Sequence, residues 1–338
     1  MTSPFEGSFV LLVAVVSAVL VGVVRKIALM HGVMDHPTER GSHSLPTPRG
    51  GGLGAVASIV MSFGGIAVVS ARAGMTLAST TIIAAGIVAC MAVATIGWMD
   101  DRRGVPVRVR LAVHLIGGLA VGALSLAGNT LPALTAVLFA WWVFWTVSSI
   151  NLVNFMDGIN GLVASQISIF AASLMLFGWQ SSVSTWYAAA VAAACLGFLP
   201  WNFPRARIFL GDVGSGSLGY LVPFVALLIM QETGIGIIRA HLPLLPLFAD
   251  ATVTIMQRWR RSESLTKPHR SHLYQRLANG GLGHTRVTLL YAGLSIVGLL
   301  VAHAASGDRE IILIGGYVVG VALSGVTLER RLAGAKLT

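Results

Sequence analysis

Eleven long apolar runs occupy most of this sequence and restrict what it can fold into. A helix needs roughly 20 apolar residues to cross the hydrocarbon core of a bilayer. Only 11% of the 338 residues are charged, whereas a soluble domain carries roughly 25%, so an ordinary soluble protein is excluded. The runs predict an all-α polytopic integral membrane protein with 11 transmembrane helices, at 8–29, 52–70, 77–98, 111–127, 131–149, 161–178, 185–200, 214–230, 240–257, 287–305 and 311–328.

The basic residues predict the orientation of these helices. If the N-terminus is periplasmic, 20 of the 23 lysines and arginines lie on the inner side, and Arg72, Arg239 and Arg309 remain outside. This bias follows the positive-inside rule, so we predict a periplasmic N-terminus and a cytoplasmic C-terminus. The net charge of +10 then indicates anionic lipid headgroups or an anionic substrate as partners, and no nucleic acid.

The segments between the spans are short, so one membrane-embedded domain is predicted over residues 1–338. Cys90 and Cys195 fall inside spans, which argues against a disulfide framework or a cysteine metal cluster. Acids, amides, histidines and arginines are concentrated on the predicted cytoplasmic side. We therefore predict that any chemistry is carried by the cytoplasmic loops 31–52, 98–111, 150–162, 201–216 and 258–286.

Two adjacent carboxylates, Asp100 and Asp101, lie at the cytoplasmic end of the third span. Adjacent carboxylates repel each other, so they are tolerated best where a cation or a metal offsets their charge. Such a pair can serve as a metal ligand or as a general base. The alternative is a solvated helix end with surface ion pairs, formed with Arg102, Arg103, Arg108 and Arg110.

Polar side chains recur every three residues in the loop 150–162, at Asn151, Asn154, Asp157 and Asn160. On a helix or tight turn this spacing would place them on a shared side. Amides and a carboxylate that face together suit a metal, a phosphate or the edge of a nucleobase. A glycine-rich turn whose amides cap helix ends is the alternative.

Two further acids are candidates because of their surroundings. Asp212 lies among glycines where a span begins, and free backbone amides at a helix start attract phosphate. Close helix packing by small residues would explain the glycines but not the acid. Asp250 falls inside the span 240–257, where an ionisable group is costly and is a functional candidate by default.

Histidines and arginines occur together in the first and last cytoplasmic loops. Arg40 and His43 suit an anionic lipid headgroup, and a plain connector is the alternative. His269 and His272, with Arg270 between them, suit a diphosphate, while a basic segment lying on anionic lipid is the alternative. Zinc is not expected, because no cysteine or third histidine lies close in the sequence. The remaining histidines lack a partner motif and are interpreted as incidental: His114, His241, His284 and His303.

Five motifs then follow one another on one predicted side of the membrane: DHPTERGSHSLPTP (35–48), DDRRG (100–104), NLVNFMDGINGL (151–162), FLGDVGSGSLG (209–219) and HRSH (269–272). In this order they resemble the polyprenyl-phosphate N-acetylhexosamine-1-phosphate transferases, glycosyltransferase family 4. That family includes enzymes that start O-antigen, enterobacterial common antigen and teichoic acid linkage units, and the peptidoglycan translocase. The run PHRSHLYQRL (268–277) is most similar to the O-antigen-initiating branch.

The resemblance implies a reaction and its setting. An N-acetylhexosamine 1-phosphate would pass from a UDP-sugar to undecaprenyl phosphate, giving the undecaprenyl-diphosphate-sugar and UMP and initiating O-antigen or a related cell-envelope polysaccharide. Mg²⁺ would be required, with Mn²⁺ as a second candidate. The enzyme would be multi-pass in the bacterial inner membrane, with its active site facing the cytoplasm.

The resemblance also implies roles for residues in the matching motifs. Asp212 and Asp101 would bind the metal, and Asp100 would be the general base that activates the lipid phosphate. The expected catalytic residues are Asp100, Asp101, Asp157, His269 and His272. The expected substrate-binding residues are Arg40, His43, Arg108, Asn151, Asn154, Asn160 and Arg270.

This chain departs from the family pattern at two places. Many bacterial relatives have a second acid where this chain has Asn160, and an amide cannot act as a base. The basic residue after the acid pair is often lysine in relatives, and here it is Arg108 or Arg110, which keeps the charge but changes the geometry.

Several alternatives stay open at the level of sequence. The lipid phosphate could attack the donor directly, or an aspartyl intermediate could form first, and direct attack is favoured. The rival function is a secondary transporter for an anionic solute, which would keep its charged residues near the bilayer midplane, often in two related halves. A lipid-binding scaffold would not need five acids beside so many cations. The sugar is not specified by the sequence, nor is a monomer distinguished from a homodimer.

Overall fold

The structure is a computed structural model and describes residues 4–37, 45–74, 77–126, 132–179, 183–264 and 269–334. These residues fold almost entirely into helices. They are α1 (Pro4–Met30), α2 (Gly52–Arg72), α3 (Leu77–Arg103), α4 (Val107–Leu126), α5 (Pro132–Phe155), α6 (Leu162–Phe177), α7 (Ser184–Asn202), α8 (Gly211–Thr233), α9 (Ile237–His241), α10 (Leu245–Arg260), α11 (Leu273–Leu277), α12 (Gly283–Ala304) and α13 (Glu310–Gly334). Two short antiparallel strands, β1 (Met34–Asp35) and β2 (Thr47–Pro48), pair beside them.

The prediction of an all-α polytopic membrane protein is confirmed. Ten of the eleven predicted spans coincide with single helices of the described chain. By length and composition, eight segments within the described residues are long and apolar enough to cross a membrane. They begin at Gly7, Gly52, Thr80, Val107, Leu134, Gly211, Leu273 and Gly307. The orientation of the helices in the membrane stays a prediction.

The span predicted at 240–257 is broken, and here the prediction of a continuous helix was wrong. The chain forms α9 at Ile237–His241, then a single 3-10 turn at Leu242–Leu244, and only then α10. Pro243 and Pro246 occupy this stretch, and a proline has no N–H to donate and collides with the preceding helical turn. The helix is therefore divided before Asp250.

Helix α8 lies at the centre of the protein. In its apolar window 94% of the residues are buried, and it packs against α2, α3, α4, α5, α6 and α7. Glycines permit this close packing: a Cβ on Gly97 would lie 2.5 Å from the carbonyl oxygen of Asp212, and one on Gly219 would lie 2.7 Å from the Cα of Ile150. The packing places the N-terminal end of α8, with Asp212, against the ends of α3 and α5.

Candidate active site

Three acidic motifs that are far apart in the sequence meet at the N-terminal end of α8. The end of α3 supplies Asp100 and Asp101, the turn after α5 supplies Asp157, and the first turn of α8 supplies Asp212. Asp157 and Asp212 line a common cavity, and Asp101 and Asp212 are joined by one hydrogen bond and by Arg49. The acids predicted from the sequence to act together are thus brought together.

Asp101 holds the beginning of α8 in place. Its Oδ1 accepts a hydrogen bond from the backbone N–H of Asp212 (2.9 Å) and its Oδ2 accepts one from Val213 (3.1 Å). The first N–H groups of a helix lack partners within the helix and carry its positive dipole end, so a carboxylate there is stabilising. Arg49 Nε lies 2.7 Å from Oδ1 as well. Both oxygens of this buried carboxylate therefore contact protein donors.

Asp100 faces a different set of partners. Its Oδ2 pairs with Arg110 Nη1, and its Oδ1 accepts a hydrogen bond from the N–H of Val105. The same Arg110 nitrogen lies 3.7 Å from Asp212 Oδ2, so one guanidinium links the two motifs. Arg108, the other candidate for this basic position, has an exposed side chain. The structure thus places Arg110, and not Arg108, against the acids.

Asn154 and Arg49 hold the carboxylate of Asp212. Asn154 Nδ2 lies 3.2 Å from Asp212 Oδ1 and 3.1 Å from the hydroxyl of Ser215, and it donates toward both. Arg49 Nη2 lies 3.2 Å from the same Oδ1. The Asp212 carboxylate therefore has a fixed direction before any ligand arrives.

Arg49 is a functional candidate that the sequence reasoning did not single out. Burial alone would lower its pKa, but the charges of Asp101 and Asp212 outweigh that effect and raise it above its ordinary value. The backbone beside it is fixed, because Gly51 and Gly52 donate to the carbonyls of Phe209 and Leu210 (2.8 Å each). In the sequence Arg49 lies between a proline-rich turn and a glycine run, and this position could have identified it. Glycines of this kind mark a backbone that is held close to another element.

A polar cavity of about 180 Å³ opens beside Asp212. The spacing of the loop 150–162 predicted a shared side, and Asn154, Asp157 and Asn160 do line this cavity. Asn151 does not, because it lies one turn back in α5 and donates to the carbonyl of Val147 (2.7 Å). The full lining is Asp35, Arg49, Asn154, Asp157, Gly158, Ile159, Asn160, Asn202, Phe209, Leu210, Gly211, Asp212, Gln275 and His284.

The electrostatics of the cavity are set by its carboxylates. The pKa of Asp157 is raised to about 7, first because burial disfavours the charged form and then because of the neighbouring Asp212 charge. Arg49 opposes this shift without cancelling it. When they are ionised, the three carboxylates that line the cavity (Asp35, Asp157 and Asp212) exceed the charge of Arg49, and this excess favours a bound cation.

The donor groups in the cavity fit magnesium. Carboxylate and amide oxygens are the ligands that Mg²⁺ takes, one or two carboxylates being sufficient where substrate phosphates complete the shell. Besides Asp157 and Asp212, Gln275 lines the cavity, and its Oε1 is buried without a hydrogen-bond partner among the described residues. No group of three or more His, Cys, Asp or Glu side chains with a metal-binding arrangement occurs among the described residues. The residues present fit a magnesium ion shared with a substrate.

Asn160 anchors the loop at the rim of the cavity. Its Nδ2 donates to the carbonyl of Pro204 (3.1 Å), and its own carbonyl accepts from the Thr288 hydroxyl (2.8 Å). An aspartate at this position would place an acceptor against the carbonyl of Pro204. The amide that departs from the family pattern therefore has a structural partner in this chain.

His284 lies beside Asn160 and corrects one interpretation made from the sequence. The sequence indicates no role for it, but it lines the cavity, and its Nδ1 lies 3.5 Å from the backbone nitrogen of Asn160. No sequence motif marks it. Its position follows from the packing of α12 against the loop 150–162, which the sequence alone does not reveal.

The histidine motif, residues 269–272, lies next to the cavity, but none of its residues is among the described residues that line it. His269 Nδ1 is 2.8 Å from the hydroxyl of Ser271, and burial, followed by His272, lowers its pKa to about 4. His272 is buried, and its ring stacks with Phe155 at a centroid distance of 6.4 Å. Arg270 is half-buried between them. Arg40 and His43, predicted to face the lipid, lie outside the described residues.

The chain is similar in sequence to a known family and to several named transferases. Residues 82–230 match the model of a family described as glycosyl transferase family 4. The chain is 30% identical to a decaprenyl-phosphate N-acetylglucosaminephosphotransferase of Mycobacterium tuberculosis, over 94% of this chain and 88% of the relative. It is 28% identical to a probable undecaprenyl-phosphate N-acetylglucosaminyl 1-phosphate transferase of Bacillus subtilis, over 80% of this chain and 77% of that protein. It is 27% identical to the undecaprenyl-phosphate alpha-N-acetylglucosaminyl 1-phosphate transferase of Escherichia coli K12, with coverages of 86% and 82%.

Proposed function

Because the chain belongs to glycosyl transferase family 4, the polyprenyl-phosphate N-acetylhexosamine-1-phosphate transferases, we propose that it transfers an N-acetylhexosamine 1-phosphate from a UDP-sugar to undecaprenyl phosphate. The products are the undecaprenyl-diphosphate-sugar and UMP. We further propose that the reaction takes place at the cytoplasmic face of a bacterial inner membrane and initiates O-antigen or a related cell-envelope polysaccharide.

One observation carries this proposal. Two partly buried carboxylates, Asp157 and Asp212, share a polar cavity with Arg49 at one end of a membrane helix bundle. Carboxylates and guanidinium groups held at one membrane face suit a reaction between a soluble, charged nucleotide and a phosphate that stays attached to a membrane lipid. A transporter would instead place such groups near the bilayer midplane.

In this proposal Asp157 and Asp212 would hold the magnesium ion, and Gln275 lines the same cavity. The bound ion supplies charge neutralisation on the phosphate oxygens of the donor. Asp101 fixes the helix that carries Asp212, because its oxygens contact the N–H groups of Asp212 and Val213. Its proposed part in the reaction is therefore to position a metal ligand.

The bond changes require little covalent participation by the protein. An oxygen of undecaprenyl phosphate attacks the sugar-bearing phosphorus of the donor, and the bond between the two donor phosphates breaks to release UMP. A phosphate monoester has a second pKa near 6 and is mostly a dianion at neutral pH. Arg49 and Arg110 are cationic and offset the charge of the acids, so the dianion can bind beside them. Asp100 accepts a proton from those acceptor molecules that are still monoanions.

Five further predicted residues are assigned to substrate binding, and Asn154 is assigned a positioning role. His269, Arg270 and His272 are proposed to hold the donor diphosphate or sugar, since arginine forms paired hydrogen bonds with phosphate oxygens. Arg40 and His43 are proposed to contact the lipid phosphate. Asn154 has its amide nitrogen directed at Asp212 and Ser215, and its proposed part is to orient the metal ligand.

Release of UMP by purified protein tests the proposed function. We expect UMP only when undecaprenyl phosphate, Mg²⁺ and the correct UDP-N-acetylhexosamine are all present, and UDP-GlcNAc is the first donor to try. Chelation of the metal should reduce the rate to background, and added Mg²⁺ should restore it. A panel of donors, including 6-deoxy sugars, identifies the substrate by the highest kcat/KM.

Omission of the lipid separates the two mechanisms in the same assay. Direct attack predicts no UMP without acceptor, whereas an aspartyl intermediate predicts a burst equal to the amount of enzyme. Absence of UMP release with every donor, in a preparation shown to be folded, would contradict the transferase. Uptake of an anionic solute into proteoliposomes by the same preparation would favour the transporter instead.

The pKa of Asp157 predicts that magnesium binds more tightly as the pH rises. With a pKa raised to about 7, this carboxyl is mostly protonated at pH 6 and mostly ionised at pH 8, and a metal binds the ionised form. We expect about a tenfold gain in Mg²⁺ affinity over this range, measured by the rise in unfolding temperature with Mg²⁺. Asp157→Asn should bind weakly at both pH values. An affinity of the wild-type protein that does not change with pH would contradict the assignment.

A further inference from the structure

Asp250 is an acid without a place in the mechanism described so far. It lies in α10, and its side chain is buried. It is not one of the described residues that line the polar cavity. A carboxylate inside a membrane protein is costly unless donors surround it. The groups that surround Asp250 therefore indicate why the cost is tolerated.

Four hydrogen-bond donors meet this carboxylate. The backbone N–H of Leu273 and the hydroxyl of Thr254 donate to Oδ1, at 2.8 and 3.2 Å. The backbone N–H of Tyr274 and the hydroxyl of Tyr291 donate to Oδ2, at 2.9 and 2.7 Å. Two of these donors are the first N–H groups of α11, which have no partner inside their own helix.

Helix α11 depends on such an anchor because it has only five residues. A helix that short does not persist without tertiary contacts. Among the described residues, α11 forms one ion pair, between its Arg276 and Glu329 of α13, and both side chains are more than a third exposed. An exposed ion pair contributes little, so the buried contacts with Asp250 are the stronger constraint.

Residues at the start of α11 reach the active site in three ways. The hydroxyl of Tyr274 donates a hydrogen bond to the carbonyl of Phe155 (3.0 Å). The same hydroxyl packs so closely on Gly158 that a Cβ added to Gly158 would collide with it. Gln275 lines the polar cavity. His272 comes immediately before the helix, with its Nδ1 3.8 Å from Asp250 Oδ1.

We propose that Asp250 is a positioning residue for the transfer reaction. By fixing the first turn of α11, one buried carboxylate sets the histidine motif and Gln275 against the turn that carries Asp157. The inference rests on the proposed function, because that function assigns the histidine motif to the donor substrate. It predicts that a change at Asp250 affects donor recognition more than acceptor recognition.

Asp250→Asn tests the inference with little change in volume. The introduced amide nitrogen would face a backbone N–H, so one end of α11 would lose its anchor. We expect the KM for the UDP-sugar to rise about tenfold and kcat to fall, with the KM for undecaprenyl phosphate within about twofold of the wild-type value. A purely structural role would lower the amount of active enzyme and kcat, with both KM values unchanged.

Hydrogen exchange provides a second measurement that does not require the reaction. In Asp250→Asn, a peptide covering residues 269–277 should exchange about tenfold faster, and a peptide covering residues 100–110 should not change. Ser295→Ala is a matched control, because it removes another buried hydrogen bond of α12, to Gln166, away from α11. It should lower the unfolding temperature without changing either KM.

The outcomes separate the inference from the function on which it rests. If the wild-type protein transfers no sugar phosphate, the proposed function fails, and the exchange measurement still tests the anchor. Unchanged exchange at 269–277, or an unchanged donor KM in an active wild-type background, overturns the inference. If Asp250→Asn does not accumulate, Tyr291→Phe combined with Thr254→Val removes the two side-chain donors and should shift the same quantities by a smaller factor; no shift overturns the inference.

Discussion

Asp212→Asn is expected to reduce turnover by about a thousandfold or more while the protein remains folded. The amide keeps an oxygen that can accept from Asn154 and Arg49, as the carboxylate does in this structure. It loses the negative charge that a magnesium ion needs beside Asp157. On the proposed assignment the change removes metal binding, and it leaves the start of α8 on Asp101 intact.

The measurement is UMP release at saturating donor and acceptor, together with the Mg²⁺ dependence of the unfolding temperature. Glu232→Gln is the matched control, because Glu232 is an acid at the opposite end of the same helix, where it accepts from the N–H of Ser184. The control should keep its rate within about twofold, as expected for a polar change remote from the site. Near-normal turnover of Asp212→Asn would remove Asp212 as a magnesium ligand.

Arg49→Ala is expected to damage both stability and activity. Arg49 contacts Asp101 and Asp212 at once, at 2.7 and 3.2 Å, and about two thirds of its side chain is shielded from solvent. Removing one partner of a buried ion pair leaves uncompensated charge and costs about 3–5 kcal/mol. The free energy of unfolding should decrease by up to that amount. The rate should fall about a hundredfold, because the proposed site for the acceptor phosphate loses a cation.

Arg49→Lys distinguishes the number of contacts from the charge. A single ammonium group cannot reproduce the two directions of a guanidinium, so we expect an intermediate loss of rate and stability. Arg103→Ala, which removes an exposed arginine at the end of α3, should change neither quantity. Thermal unfolding in detergent and UMP release are the measurements, and wild-type values for Arg49→Ala would contradict the bridging role.

The acids of the site were predictable from the sequence because of their chemistry. A charged residue at the end of an apolar run must lie at a membrane face, and Asp100, Asp101, Asp157 and Asp212 share one such face by the distribution of positive charge. The spacing of Asn154, Asp157 and Asn160 also predicted their common side, and they line one cavity. Asn151 did not follow, because α5 continues through it and turns it toward Val147.

The partners of these acids were not predictable, because they come from other elements. From the sequence Arg108 is expected among the substrate-binding residues, whereas the packing of α4 places Arg110, and not Arg108, against Asp100. Asp100 and Asp101 are adjacent, yet they point to different partners because one of them meets the start of α8. Pro243 and Pro246 indicate the break before α10. The break is hard to predict because the apolar run is long enough to suggest one continuous span.

The glycines along α8 decide where this protein can be engineered for stability. Replacing helical glycine by alanine is a common stabilising change, worth up to about 1 kcal/mol at a compatible position. At Gly97 of α3 and Gly219 of α8 the new methyl group would meet the backbone of a neighbouring helix, and at Gly97 that backbone belongs to Asp212 itself. At Gly64, Gly65 and Gly293 an added Cβ would meet no atom within 4 Å. A thermostable variant made for crystallisation or inhibitor screening should therefore take its alanines from α2 and α12.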